Sequence, residues 1–364
     1  MKEFLRDTVA DWDHDGTPEN VRRELRKVIN CGTPALGGEV FASSSEQKVV
    51  FYSCKSRFCP SGGARAASIW QQELEAVIPQ ISYREINFTM PRVFWPIFQQ
   101  NRHLLNDLPA IGAEAIQFWA KQRHGAVIFL MVVQQTYGGR LNFYPHLHTL
   151  FSAGGFHARS IRWIPDLDFS HEEYRHELML ARRLSLIAYL DAAISAGVLR
   201  STLSVEQLMQ ILEFERRRNW IIFVSRKVPK RIVIDHIGRY IRKPPIAQYR
   251  LTRLNEKEVQ YLAKDTRQRC LTAVTYTNKE FLALLMPHIV DFYCNSMRYF
   301  GLLAPHLKKL LPLVFELLNQ QPQTRPPRLS YAESMMRTFG TNPFIGRDGS
   351  LLQRVGRIEP TSVT

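Results

Sequence analysis

His146 and His148 flank a single leucine in the segment Tyr144-Pro145-His146-Leu147-His148. In a strand, side chains at i and i+2 leave the same face. The two imidazoles would then project together, near enough to share one metal ion, while Leu147 turns into the core. The apolar run from Ala126 to Gln135 reads as a buried strand, Gly138-Gly139 as a turn, and Leu141 to Ser152 as the returning arm of a hairpin. Pairing the two arms sets Gln134 or Gln135 beside the histidines. Two imidazoles and an amide oxygen make an open nitrogen and oxygen site, suited to Mg²⁺ or Mn²⁺ acting on a phosphate rather than to a closed structural zinc. Taken alone, the same residues also fit a polar strand end facing solvent.

A second group of residues lies in Asp235-His236-Ile237-Gly238-Arg239-Tyr240-Ile241-Arg242-Lys243-Pro244-Pro245. The spacing predicts a short helix over 232–242, stopped by the two prolines. On it, Tyr240 shares a face with His236 and lies near Lys243. A tyrosine that attacks phosphorus becomes a phosphotyrosine ester, and its unperturbed pKa of about 10 means that a cation or a base must help it ionise. Arg239, Arg242 and Lys243 suit the flanking phosphates. A basic helix end with its tyrosine packed on the core is the alternative.

The elements that must position these residues fall into three parts. Residues 1–80 are irregular and turn-rich, with Cys31, Cys54 and Cys59 and then a helical run over 66–77. Residues 81–250 mix strands and helices. Strands are expected at 83–89 and 220–224, and helices over 93–106, 108–122 and 171–197, with a capping box at Ser204-Val205-Glu206-Gln207. Residues 251–364 begin strand-like, including 271–276, and then read as helices at 279–289, 293–303 and 305–319. A tail rich in Pro and Arg follows.

Composition narrows the partners. The chain of 364 residues carries 48 Lys and Arg against 33 Asp and Glu, a net charge of +15. Such a surface attracts polyanions, because each neutralised phosphate releases condensed counterions. The longest clean apolar run, Ala126 to Val133, is far short of the roughly 20 residues that a membrane span needs. The N-terminus, Met1 to Asp7, has acidic residues and no apolar core, unlike a signal peptide. Five cysteines at irregular spacing do not make a secreted disulfide scaffold. A cytoplasmic, nucleoid-associated protein is expected.

With its His-hydrophobic-His strand followed about ninety residues later by Gly-Arg-Tyr, the chain resembles the HUH single-strand nucleases, and in particular the rolling-circle insertion-sequence transposases of the insertion-sequence-common-region group. Three further segments carry the likeness. Cys54-Lys55-Ser56-Arg57-Phe58-Cys59-Pro60-Ser61 resembles the family's N-terminal zinc-binding segment. Leu141 to His148 resembles its metal motif, and Met297-Arg298-Tyr299-Phe300-Gly301-Leu302-Leu303 resembles a structural or DNA-contacting motif.

The resemblance implies an α+β fold: a central antiparallel sheet flanked by helices, a small N-terminal zinc-finger-like module over 1–80, the nuclease core over 81–250, and a helical DNA-binding region over 251–364. It implies a divalent metal on His146, His148 and Gln135, with Arg298 among the DNA contacts. Tyr240 would hold the 5′ end of cut single-stranded DNA at transposon ends, with no nucleotide cofactor. The chain departs from the family in three respects. His236 stands where some relatives carry a second tyrosine, which implies a single-tyrosine enzyme. Tyr144 stands where His is frequent. Ser43, Glu46 and Gly62 replace cysteines, leaving Cys54 and Cys59 in register with Cys31 nearby, so zinc binding is left open. The same motifs would also be present in an inactive DNA-binding remnant of a transposase or in a rolling-circle replication initiator.

Overall fold

In the computed structural model, the residues described are 1–169, 171–236, 244–265, 270–322 and 329–361. The chain forms a mixed α/β protein built around antiparallel sheets. The central sheet comprises β1 (Ser82–Phe88), β2 (Phe129–Tyr137), β3 (Phe143–Ser152), β4 (Ile222–Val224), β5 (Val228–Pro229) and β6 (Met297–Gly301). Its order is β5-β1-β3-β2-β6, with β4 also pairing β1, and every pair is antiparallel.

Alternation along the strands divides the sheet into two buried faces. Ile86, Phe88, Leu130, Val132, Leu147 and Phe151 point one way. There they meet helices α2 (Leu108–His124), α3 (Glu172–Ser195) and α4 (Val205–Arg217), through side chains such as Ile116, Leu186 and Leu212. The opposite face presents Tyr83, Phe129, Met131, Val133 and Leu150. Against it pack Trp70 and Leu74 of α1 (Pro60–Val77) and Val233 and Ile234 of α5 (Lys230–His236). The capping box expected at Ser204 is formed in full.

The expected helix over 93–106 is broken into a short helix, Trp95–Gln100, between two 3-10 turns: Pro96 has no N–H to bond the turn before it, and Asn101, at φ −118° and ψ 63°, leaves the helical region. The expected helix over 293–303 is a correction: Met297–Gly301 is β6, an edge strand paired with β2. Residues 1–80 also hold more regular structure than their composition suggests. Helix Glu19–Asn30 leads into the hairpin Gly38–Ala42 and Gln47–Phe51. Residues 251–364 supply a three-stranded sheet and the strand Gln353–Ile358 in addition to helices. Two strands cross the three-part division read from the sequence. β6 joins the central sheet, and Gln353–Ile358 pairs with Gly38–Ala42. Among the described residues no helix is long and apolar enough to cross a membrane.

Candidate active site

β2 and β3 pair as the expected hairpin, with Gln135 opposite His146 and Val133 opposite His148. His146 and His148 share the sheet face covered by α1 and α5, while Leu147 is fully buried on the other face. Their Nε2 atoms lie 3.1 Å apart. Gln135, the glutamine on the histidine face, is buried beside them.

Hydrogen bonds at the far side of each ring fix how the rings present themselves. His146 Nδ1 lies 2.8 Å from the Tyr144 carbonyl, which can only accept, so Nδ1–H is the donor. His148 Nδ1 lies 2.8 Å from Glu85 Oε1. Burial works to raise the pKa of Glu85, but the hydrogen bonds and charge of His148 and His236 outweigh it and hold the carboxyl at about 2. The ionised carboxylate therefore accepts from His148. Burial, and then the neighbouring His148, lower His146 to about 4, which favours its neutral form. With Nδ1 of each ring engaged by Tyr144 or Glu85, the two Nε2 atoms face each other. A cation between them would be ligated by both. Nitrogens held about 2.1 Å from one ion stand about 3.0 Å apart at right angles and about 3.4 Å apart at tetrahedral angles, which brackets the observed separation. The residues fit a divalent metal.

Sequence reasoning missed two participants. Glu85, on β1, bonds His148 through one oxygen and His236 through the other, at 3.2 Å. The carboxylate thus ties the metal-facing imidazole to the end of α5. Asn87, directly across from His148, has a buried Oδ1 with no hydrogen-bond partner. An alternating strand over 83–89 was legible, but the register that sets Glu85 and Asn87 against His148 is a non-local pairing.

The predicted nucleophile Tyr240 and the predicted phosphate contacts Arg239, Arg242 and Lys243 lie outside the described residues. Arg298 sits on β6 opposite Val132 and so on the sheet face away from the histidines. The structure does not bring it together with His146 and His148.

A second cluster forms in the N-terminal module. The thiols of Cys31, Cys54 and Cys59 lie within 4.8 Å of one another. Cys54 N–H donates to Cys31 Sγ and Gly62 N–H donates to Cys59 Sγ, each at 3.4 Å. Cys59 also caps the N-terminus of α1, and its own pKa is raised, chiefly by the hydrogen bond with Cys31. Hydrogen bonds from Cys54 and then Cys59 pull the pKa of Cys31 strongly down. Three converging sulfurs fit three corners of a zinc tetrahedron. Ser43 and Glu46 close the turn of the Gly38–Phe51 hairpin, and Glu46 accepts from Arg347 N–H.

The chain's likeness to known proteins spans both clusters. Residues 129–310, half of the chain, match the family model described as "Putative transposase", and residues 2–90 match "Transposase zinc-binding domain". The chain belongs to the rolling-circle insertion-sequence transposases. One relative is the transposase for insertion sequence element IS801 of Pseudomonas savastanoi pv. phaseolicola, 28% identical over 345 residues, which span 92% of this chain and 83% of that protein. Another is the putative transposase y4qJ of Sinorhizobium fredii, 29% identical over 300 residues, or 78% of this chain and 74% of that protein. No solved structure matches. For this transposase, the zinc-binding match covers all three clustered cysteines, and the larger match covers the histidine hairpin and α5.

Proposed function

We propose that this transposase nicks and rejoins single-stranded DNA at transposon ends through a 5′-phosphotyrosine on Tyr240, on a sheet of the HUH nuclease type. The observation that carries the proposal is Glu85, which joins His148 to His236. Tyr240 follows His236 by four residues, a span of at most about 14 Å.

His146, His148 and Gln135 would hold Mg²⁺ or Mn²⁺, which polarises a phosphate and steadies charge on a departing oxygen. Each ring offers Nε2 because its Nδ1–H is engaged by Tyr144 or Glu85. The Tyr240 oxygen attacks phosphorus and forms the new P–O bond, and the 3′ oxygen leaves with the electron pair. His236, oriented by Glu85, is the nearest base in sequence to receive the tyrosine proton. Attack by a free 3′ hydroxyl on the phosphotyrosine reverses these steps and seals a new junction, so no nucleotide cofactor is needed. Arg239, Arg242 and Lys243 hold phosphates on either side. The N-terminal module, with zinc on its cysteines, and residues beyond 250 extend the DNA surface. The protein would act at the nucleoid, in the cytoplasm.

Incubation with single-stranded DNA and Mn²⁺ should give a covalent protein–DNA adduct on denaturing gels. Tyr240→Phe should abolish the adduct, and His146→Ala should lower it by at least about a hundredfold. Cleavage that persists in Tyr240→Phe would instead mean hydrolysis by activated water, and no cleavage on any sequence would mean a non-catalytic DNA-binding protein.

A further inference from the structure

Between the N-terminal module, the end of β2 and the loop at 286–297 lies a cleft of about 570 Å³. Gln135, the candidate third ligand, and Tyr293 both line it. Its carboxylates are already engaged. Glu24 bonds Lys27 and Ser56, and Asp291 accepts from Arg102 and Asn20. Its cations are not neutralised to the same extent. Arg57, set in the wall, makes no ion pair or hydrogen bond among the described residues. Arg23 and Lys55 also line the cleft without a carboxylate partner among the described residues.

The loop opposite presents aromatic side chains. Phe292 is exposed beneath the Arg23 guanidinium, 4.6 Å from the ring centre, and Tyr293 is fully exposed at 104%. Tyr293 has a φ of 63°, a left-handed conformation that is uncommon for a bulky residue. The loop is nonetheless anchored, because Arg102 donates to the Pro287 and Ile289 carbonyls and to Asp291. An exposed aromatic ring lining the same cleft as guanidinium groups without carboxylate partners is the combination that binds single strands: cations for the backbone and a flat face for a base.

We infer that this cleft seats the single-stranded DNA next to the nick, with a phosphate on Arg57 and a base stacked on Tyr293. Its placement beside the nick rests on the proposed nicking site, whereas the binding itself does not. A duplex has no free base to stack, so the commitment is to single strands.

The test is equilibrium binding of a fluorescein-labelled oligothymidylate of 20 nucleotides to the full chain in buffer without added Mg²⁺ or Mn²⁺, where no cleavage is required. Tyr293→Ala should weaken Kd about tenfold. Arg57→Gln should weaken it similarly and lower the slope of log Kd against log salt by about 0.7. Arg216→Gln, on the exposed side of α4, should leave Kd within about twofold. A 5-iododeoxyuridine placed in the strand should photocrosslink to Tyr293. If Arg57→Gln fails to fold, Tyr293→Ala and the crosslink decide. Unchanged Kd in Tyr293→Ala, crosslinks outside the cleft, or tighter binding of duplex would each overturn the inference. Weakened binding in a protein that forms no adduct would leave the cleft standing and remove only the nicking.

Discussion

Glu85 is a single carboxylate with two jobs, and its geometry separates them from a general role in stability. One oxygen accepts from His148 and the other from His236. Glu85→Gln keeps the shape but leaves one acceptor and one donor, so only one histidine retains its partner. We expect Mn²⁺ affinity, measured by calorimetry, to fall about 10- to 100-fold, with the melting temperature little changed. Unaltered affinity would remove Glu85 from the site. At the cysteine cluster the informative residue is Gly62. A Cβ there would lie 3.3 Å from Cys54 Sγ, and Gly62 N–H already donates to Cys59 Sγ, so this glycine borders the cluster. Gly62→Cys should tighten zinc by at least about tenfold in competition with a chromophoric chelator, and equal affinity in both proteins would place the fourth ligand elsewhere. The His pair could be read from the sequence because its spacing is local. Glu85 could not, since it meets the pair through a strand pairing 63 residues distant.

At the scale of elements, the histidine strand is held from behind. Leu147, between the two histidines, is fully buried against α2. The helix comes close because Gly112 has no side chain, and a Cβ there would lie 2.5 Å from Leu147 Cδ1. Gly112→Ala should push Leu147, and with it the spacing of His146 and His148. A cost of about 1–3 kcal/mol is expected from overpacking. Adduct formation at temperatures where the variant is still folded should fall by more than the folded fraction accounts for, and full activity per folded molecule would show that the strand absorbs the change. The hairpin carrying these histidines was legible from its apolar run and its glycine turn. β6 was not. Met297 to Gly301 is a short segment whose strand identity comes from the five residues of β2 it pairs with, Val133 to Phe129. Periodicity has too few positions to separate strand from helix there.

On the scale of the whole molecule, the two ends of the chain are built into one sheet. Gly38–Ala42 is its middle strand, between Gln47–Phe51 and the C-terminal Gln353–Ile358. The contact continues at the hairpin turn, where Ser45 meets Asp348 and Glu46 accepts from Arg347 N–H. Net charge and composition describe a basic globular protein and say nothing of such a closure, and the Pro- and Arg-rich tail gave no sign of it. The closure matters for the cysteines, because Cys54 lies three residues beyond Phe51, where the strand ends. A chain ending at Arg347 would leave a two-stranded hairpin, which is marginal by itself in water, with the Gly38–Ala42 edge unpaired. We expect limited proteolysis of that truncated chain to cut within residues 38–51 at least about tenfold faster than in the full chain, with zinc retained less tightly and the central sheet still protected. Equal protection of 38–51 would mean that the N-terminal module is complete without the C-terminal strand. Loss of protection throughout would mean that the closure holds together the whole molecule rather than this module alone.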